Sequence, residues 1–122
     1  MTNISADLVK SGHPPITEVM SHYDNKRDFV QDLESYIRAG VIISTPKFFI
    51  MGKPVDSKVD PRGQWYAEKP DAWFVKLASG RGAMKYFKDL VQPLSKVIFS
   101  RYKNGEFSAF KIYEWDKITR RI

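Results

Sequence analysis

The sequence predicts a mixed α/β domain of the α+β kind, with helices packed on a mostly antiparallel central sheet. Three observations carry this. Phe29, Val30, Leu33, Tyr36 and Ile37 repeat at helical spacing and stop at Gly40. Residues 72–78, AWFVKLA, form a short apolar run of strand length. After the turn Ser79-Gly80-Arg81-Gly82 the pattern restarts as a helical stripe, Met84, Phe87, Leu90 and Val91. Asn104-Gly105 then joins two strand-like runs, 96–102 and 106–115, in the manner of a type I′ hairpin turn.

Taken in order, residues 1–15 show no period, are punctuated by Gly12-His13-Pro14-Pro15, and read as a flexible arm. Residues 16–122 then read as a single domain. Residues 16–22 suit a short helix, and Asp24 is placed to cap the longer helix that follows. The polar face of that helix, with Lys26, Arg27, Asp28, Gln31, Asp32, Glu34 and Arg38, reads as solvated. Residues 41–51, VIISTPKFFIM, have strand composition broken by Pro46. Two short strands, or an edge strand with a bulge, accommodate the missing donor, and Gly52-Lys53-Pro54 is expected to end them. Residues 55–70 carry no sustained period and read as a long surface loop that Trp65 and Tyr66 can anchor. The run 72–78 is apolar enough to be central in the sheet, and 116–122 read as a basic tail.

A chain of 122 residues is long enough to bury one real core. The absence of cysteine excludes a disulfide framework, a thiolate zinc site and a cysteine nucleophile. No apolar run approaches the roughly 20 residues that span a bilayer, and the first residues lack a basic start and an apolar core. No membrane association is expected, and a cytoplasmic location is, either the host cytoplasm or the virion for a viral protein. The charge is uneven: residues 1–40 hold four basic against six acidic residues, net −2, and residues 41–122 hold 16 against eight, net +8. That asymmetry favours an anionic partner, whether a nucleic acid, a phosphorylated cofactor or an acidic protein.

Ser79-Gly80-Arg81-Gly82 offers flexible backbone, a cation and the unpaired amides of a helix starting near Ala83, which together suit a phosphate. The alternative is a plain turn between strand and helix, since neither a Walker sequence nor a GxGxxG fingerprint is present. His13 and His22 have the chemistry of a general base but no readable partner, so capping or solvent contact is expected of them. Asp56, Asp60 and Asp71 form no spacing that defines a dyad or a metal site, and no metal is expected.

The unit WFVKLASGRGAMKYFKDLV resembles the acyl-CoA site of the GNAT acetyltransferase superfamily, with Arg81, Gly82 and Ala83 echoing the end of its motif. From Trp73 to Tyr113, with FFIMGKP at 48–54 as a preceding hairpin, the chain also looks like the RTX toxin-activating lysine acyltransferases and short bacteriophage GNAT-like proteins. The resemblance implies a GNAT-like fold that binds acetyl-CoA or another acyl-CoA, as a weak or degenerate N-acyltransferase acting on a protein substrate. It further implies that the strand from Trp73 to Ala78, with Val75 and Leu77 as binding residues, pairs with the pantetheine arm, and that the amides of Ser79, Gly80, Arg81, Gly82 and Ala83 hold the pyrophosphate. One departure matters: Lys76 stands where the toxin acyltransferases place an aspartate.

Two other classes remain open. Arg101, Lys103, Lys111, Arg120 and Arg121, with Lys96 and Lys117, are interleaved with Phe99, Tyr102, Phe107, Phe110, Tyr113 and Trp115, a mixture that single-stranded nucleic acid can use. Alternation along strands explains the same pattern with half the rings in a core. A small basic protein that docks on a host or virion protein partner is also compatible.

Overall fold

The structure is a computed structural model that describes residues 4–103 and 106–118, with side chains described for 4–100 and 110–118. Helices α1 (Ile4–Lys10), α2 (Pro14–Met20) and α3 (Lys26–Ala39) precede β1 (Val41–Ser44), β2 (Phe49–Val55) and β3 (Ala72–Ser79). Helix α4 (Ala83–Leu90) and strands β4 (Lys96–Lys103) and β5 (Glu106–Glu114) follow. The strands form one sheet in the order β1-β2-β3-β4-β5, antiparallel except for β3 against β4. This is the α+β arrangement that the sequence predicts.

Helix α3 forms because its apolar residues recur every three or four positions, and Phe29, Leu33 and Tyr36 are buried against the sheet. Asn25 caps it, rather than Asp24: Asn25 Oδ1 accepts the Asp28 amide at 2.9 Å. Helix α2 starts two residues earlier than expected, because Pro14 and Pro15 fit a first helical turn, where no amide is needed. Residues 4–10 of the expected arm are helix α1, docked where Ser5 Oγ donates to Glu34 Oε1 at 3.3 Å.

Strand β2 does not end at Gly52-Lys53-Pro54 but runs through it to Val55. The register explains the tolerance. Strand β1 pairs with β2 only as far as Val41↔Gly52, so Pro54 lies where β2 has become an edge and its missing amide breaks no ladder.

Helices α2 and α3 cover one face of the sheet, over Phe49, Met51 and Leu77; α4 covers the other, over Ile50, Trp73, Val75 and Val97. Strand β3 belongs to both cores because it carries a bulge. Met51 pairs with Leu77 and Gly52 with Val75, which leaves Lys76 as the extra residue. Without it Leu77 would share the face of Trp73 and Val75; with it Leu77 turns to α3 and Ala78 to the α4 side, opposite Ile50.

Residues 56–70, beyond the end of β2, form the surface loop expected from their composition, with a 3-10 turn at Pro61–Gly63. Both ends are pinned. Gln64 accepts the Asp56 amide at 2.7 Å and donates to the Asp56 carbonyl at 2.8 Å, and the Ser57 amide and hydroxyl both donate to Asp71. Burial pushes the Asp71 carboxyl up, but the two bonds from Ser57, a further main-chain bond and the charge of Lys96 together hold the group below its usual value. Of the two anchors expected, Trp65 packs edge-on against Tyr36 at 5.2 Å, whereas Tyr66 is 68% exposed. Among the described residues no helix is long and apolar enough to cross a membrane.

Candidate site at the parting of two parallel strands

Strands β3 and β4 pair over four positions, from Ala72↔Lys96 to Val75↔Phe99, and then part. β3 continues to Ser79 against β2 alone, and β4 continues to Lys103 against β5 alone. The parting begins at the bulge, where Ser100 Oγ donates to the Lys76 carbonyl and so takes the place of a ladder bond. Beyond it, among the described residues, no strand pairs with the β4-facing edge of residues 77–79, while Ala78 and Gly80 are exposed. A backbone edge in this state offers amide and carbonyl groups to an extended ligand.

The Gly-rich turn stands at the end of that edge. Gly80 has φ +102 and is pressed against the β1–β2 turn: a Cβ there would lie 2.2 Å from the Lys47 carbonyl oxygen and 2.6 Å from Phe48 Cα. Gly82, with φ +79, is the N-cap of α4 and faces open space. The Ala83 amide closes the turn onto the Gly80 carbonyl at 3.4 Å and the Tyr86 amide bonds the Gly82 carbonyl at 3.3 Å. Among the described residues the amides of Arg81, Gly82, Met84 and Lys85 have no acceptor. They sit at the positive end of the helix dipole beside the exposed side chains of Arg81 and Lys85.

The residues that the sequence singled out for a cofactor divide into two groups. Gly80, Arg81 and Gly82 are together at the mouth of the parting. The side chains of Val75, Leu77, Ser79 and Ala83 are turned away from it: Val75 and Ala83 are in the α4-side core, and Leu77 is in the α3-side core. The Ser79 hydroxyl donates to Glu18 Oε2 on α2 and ties the turn to that helix. Val75 is paired on both sides, with Gly52 and with Phe99, and the Ala83 amide bonds the Gly80 carbonyl, so of these four only Leu77 and Ser79 lie on the unpaired stretch of the edge.

Sequence reasoning missed a polar cluster on the α3 side of the bulge. Lys76 Nζ is paired with Asp32 Oδ2, and the Tyr23 hydroxyl donates to the same oxygen at 2.6 Å. Asp32 therefore does not lie on the solvated face assigned to it. Its side chain is 25% exposed, and that of Lys76 is 19% exposed. The missed signal was Lys76 itself, a single cation inside an apolar strand, which requires a partner from another element.

A second missed residue is Lys53, which is 1% exposed although it was expected in a strand-ending turn. Its ammonium is 3.5 Å from the centre of the Trp65 ring. A third is Tyr86, 47% exposed one turn into α4 and stacked on Phe48 at 4.7 Å, next to Gly80.

His13 is the N-cap residue of α2 and makes no side-chain capping bond; His22 is exposed at the end of the same helix. Among the described residues no three His, Cys, Asp or Glu side chains converge. Asp60 is held by Arg62, whose hydrogen bonds keep its carboxyl at about 2. An apolar cleft of about 360 Å³, lined by Val41, Pro54, Trp73, Leu90, Val91 and Leu94, lies at the far end of β3 from the turn.

Of the basic residues assigned to nucleic acid, the side chains of Arg101 and Lys103 and the whole of Arg120 and Arg121 lie outside the described residues. Asn104 and Gly105 of the expected hairpin turn lie outside them too, although the two strands it joins are present. Lys111 is exposed, 5.3 Å from the Tyr113 ring. Phe99 packs on Tyr113 at 5.6 Å, and Phe110 packs on Phe74 at 6.0 Å, so these rings serve the sheet. No family model, curated protein or solved structure matches the chain.

Proposed function

We propose that the parting of β3 and β4 is a binding slot for an acyl-CoA, and that the protein is a GNAT-like acyl-CoA-binding domain with weak N-acyltransferase capacity. The observation that carries this reading is the coincidence of the two features at one point. The unpaired β3 edge ends directly at the turn whose amides and Arg81 suit phosphate. Pantetheine is an extended chain with two amides, which an unpaired strand edge can hydrogen-bond, and the pyrophosphate next to it requires donors and positive charge.

In this reading the thioester lies near Lys76 and Ser100, where the strands separate. The amine that attacks it approaches from the α3 side, past Tyr23 and Asp32. The thioester carbonyl oxygen gains charge as the amine adds, and main-chain amides of the β3 edge are the groups placed to bind it. The amine loses a proton and the thiolate gains one; Asp32, already hydrogen-bonded by Tyr23, is the nearest group of suitable chemistry on that side.

Calorimetric titration with coenzyme A and acetyl-CoA tests the proposal. Dissociation constants in the micromolar range are expected, with Arg81→Ala weakening both ligands by about tenfold through loss of one charge-assisted phosphate contact. No heat of binding at millimolar ligand would reject it.

A further inference from the structure

Lys53 is a buried cation that the proposed slot does not use. It lies opposite Phe74 in the sheet, and its ammonium donates to the Arg62 carbonyl at 3.1 Å. The rings of Trp65, Tyr36 and Phe74 stand 3.5, 5.5 and 5.7 Å away. The charged groups facing it are Lys76 on β3, Asp32 on α3, and Asp60 and Arg62 on the loop. Both carboxylates are committed elsewhere, Asp32 to Lys76 and Asp60 to Arg62, and among the described residues none lies within ion-pair distance of Lys53. Burial lowers its pKa from 10.5 to about 8; Lys76 adds to the shift, and Asp32 and Asp60 oppose it.

The walls of this chamber differ in kind. Tyr36 and Phe74 belong to α3 and β3, which are packed in the core. Trp65 and the Arg62 carbonyl belong to the 56–70 loop. Trp65 is 39% exposed, and its neighbour Tyr66 has φ 60, a strained value for a residue other than glycine. Lifting Trp65 is therefore the motion that lets water reach the ammonium.

We propose that residues 56–70 form a proton-operated strap: a proton on Lys53 favours lifting of Trp65 from the α3 face, and loss of that proton favours closure. The direction follows from linkage. With the strap open the amine meets water and holds its proton up to about 10.5, whereas with the strap closed it releases it near 8. The closed form is thus favoured progressively as pH rises between these values, by at most roughly 300-fold. Opening uncovers Lys53, Tyr36 and Phe74 on the α3 side of the sheet, next to the Lys76–Asp32 pair. The inference does not depend on what binds at the Gly-rich turn.

The test labels the full chain with 5-fluorotryptophan and follows the fluorine resonance of Trp65, assigned with Trp65→Phe, from pH 7 to 10.5. Its shift between H₂O and D₂O reports solvent contact; Trp73 and Trp115 serve as internal controls. In the wild type the closed-to-open ratio is expected to rise at least tenfold over this range, with Trp65 becoming more protected. In Lys53→Met the resonance should stay protected throughout. A wild-type resonance that is flat with pH overturns the proposal. So does one that grows more exposed as pH rises, because then attraction between ammonium and rings is the clasp. The wild-type titration decides the matter even where Lys53→Met fails to fold.

Discussion

Gly80 does what no other residue at its position can do. Its φ of +102 is disfavoured for any L side chain, and the site a Cβ would occupy is already taken by the Lys47 carbonyl and Phe48. Gly80→Ala is expected to cost about 3 kcal/mol in denaturant unfolding, since backbone strain and a backbone clash add. Gly82→Ala should cost about 1 kcal/mol, because Gly82 has positive φ but faces open space. Equal losses would mean that the turn is not anchored on the β1–β2 turn. The glycines were legible in the sequence as a turn, but the difference between them was not. It comes from Lys47 and Phe48, more than 30 positions away, and no local pattern contains that information. Asp32 and Lys53 were hidden for the same reason, since each is defined by a partner on another element.

At the scale of elements, what the sequence made legible was periodicity. Helix α3, strand β3, helix α4 and the β4–β5 pair all follow from spacing. What periodicity could not convey was the bulge. AWFVKLA reads as a plain buried strand, and only the pairing with β2 reveals that Lys76 is inserted. The consequence is measurable. Leu77→Ala should cost about 3 kcal/mol for a buried leucine in the α3-side core, while Ala78→Ser should change stability by less than about 0.5 kcal/mol. A regular strand, with Ala78 facing the α3-side core, would make Ala78→Ser costly as well in urea unfolding, because its hydroxyl would be buried. Helix α1 and the passage of β2 through Pro54 escaped for complementary reasons: α1 has too little apolar surface to announce itself, and Pro54 is tolerated only because β1 is four residues long.

In the whole molecule, helices on both faces hold β2 and β3 together while β4 is tied to β3 by four register pairs and one serine hydroxyl. The basic excess of residues 41–122 lies on the same part of the chain, and Arg81 and Lys85 bring some of it to the mouth of the parting. The proposed acyl-CoA reading draws on both shape and charge, and one substitution separates the two contributions. Ala78 is exposed on the α4 side of the unpaired edge, so Ala78→Trp would fill the slot without entering either core. Its unfolding free energy should stay within about 0.5 kcal/mol of wild type, as for a surface change. Acetyl-CoA binding should fall by about 100-fold, because the indole occupies the space of the pantetheine arm. Adenosine 3′,5′-bisphosphate, which lacks that arm, should bind wild type and variant alike. If acetyl-CoA binds Ala78→Trp as tightly as wild type, the ligand reaches the turn without passing between the strands, and the parting is only the structural consequence of the Lys76 bulge.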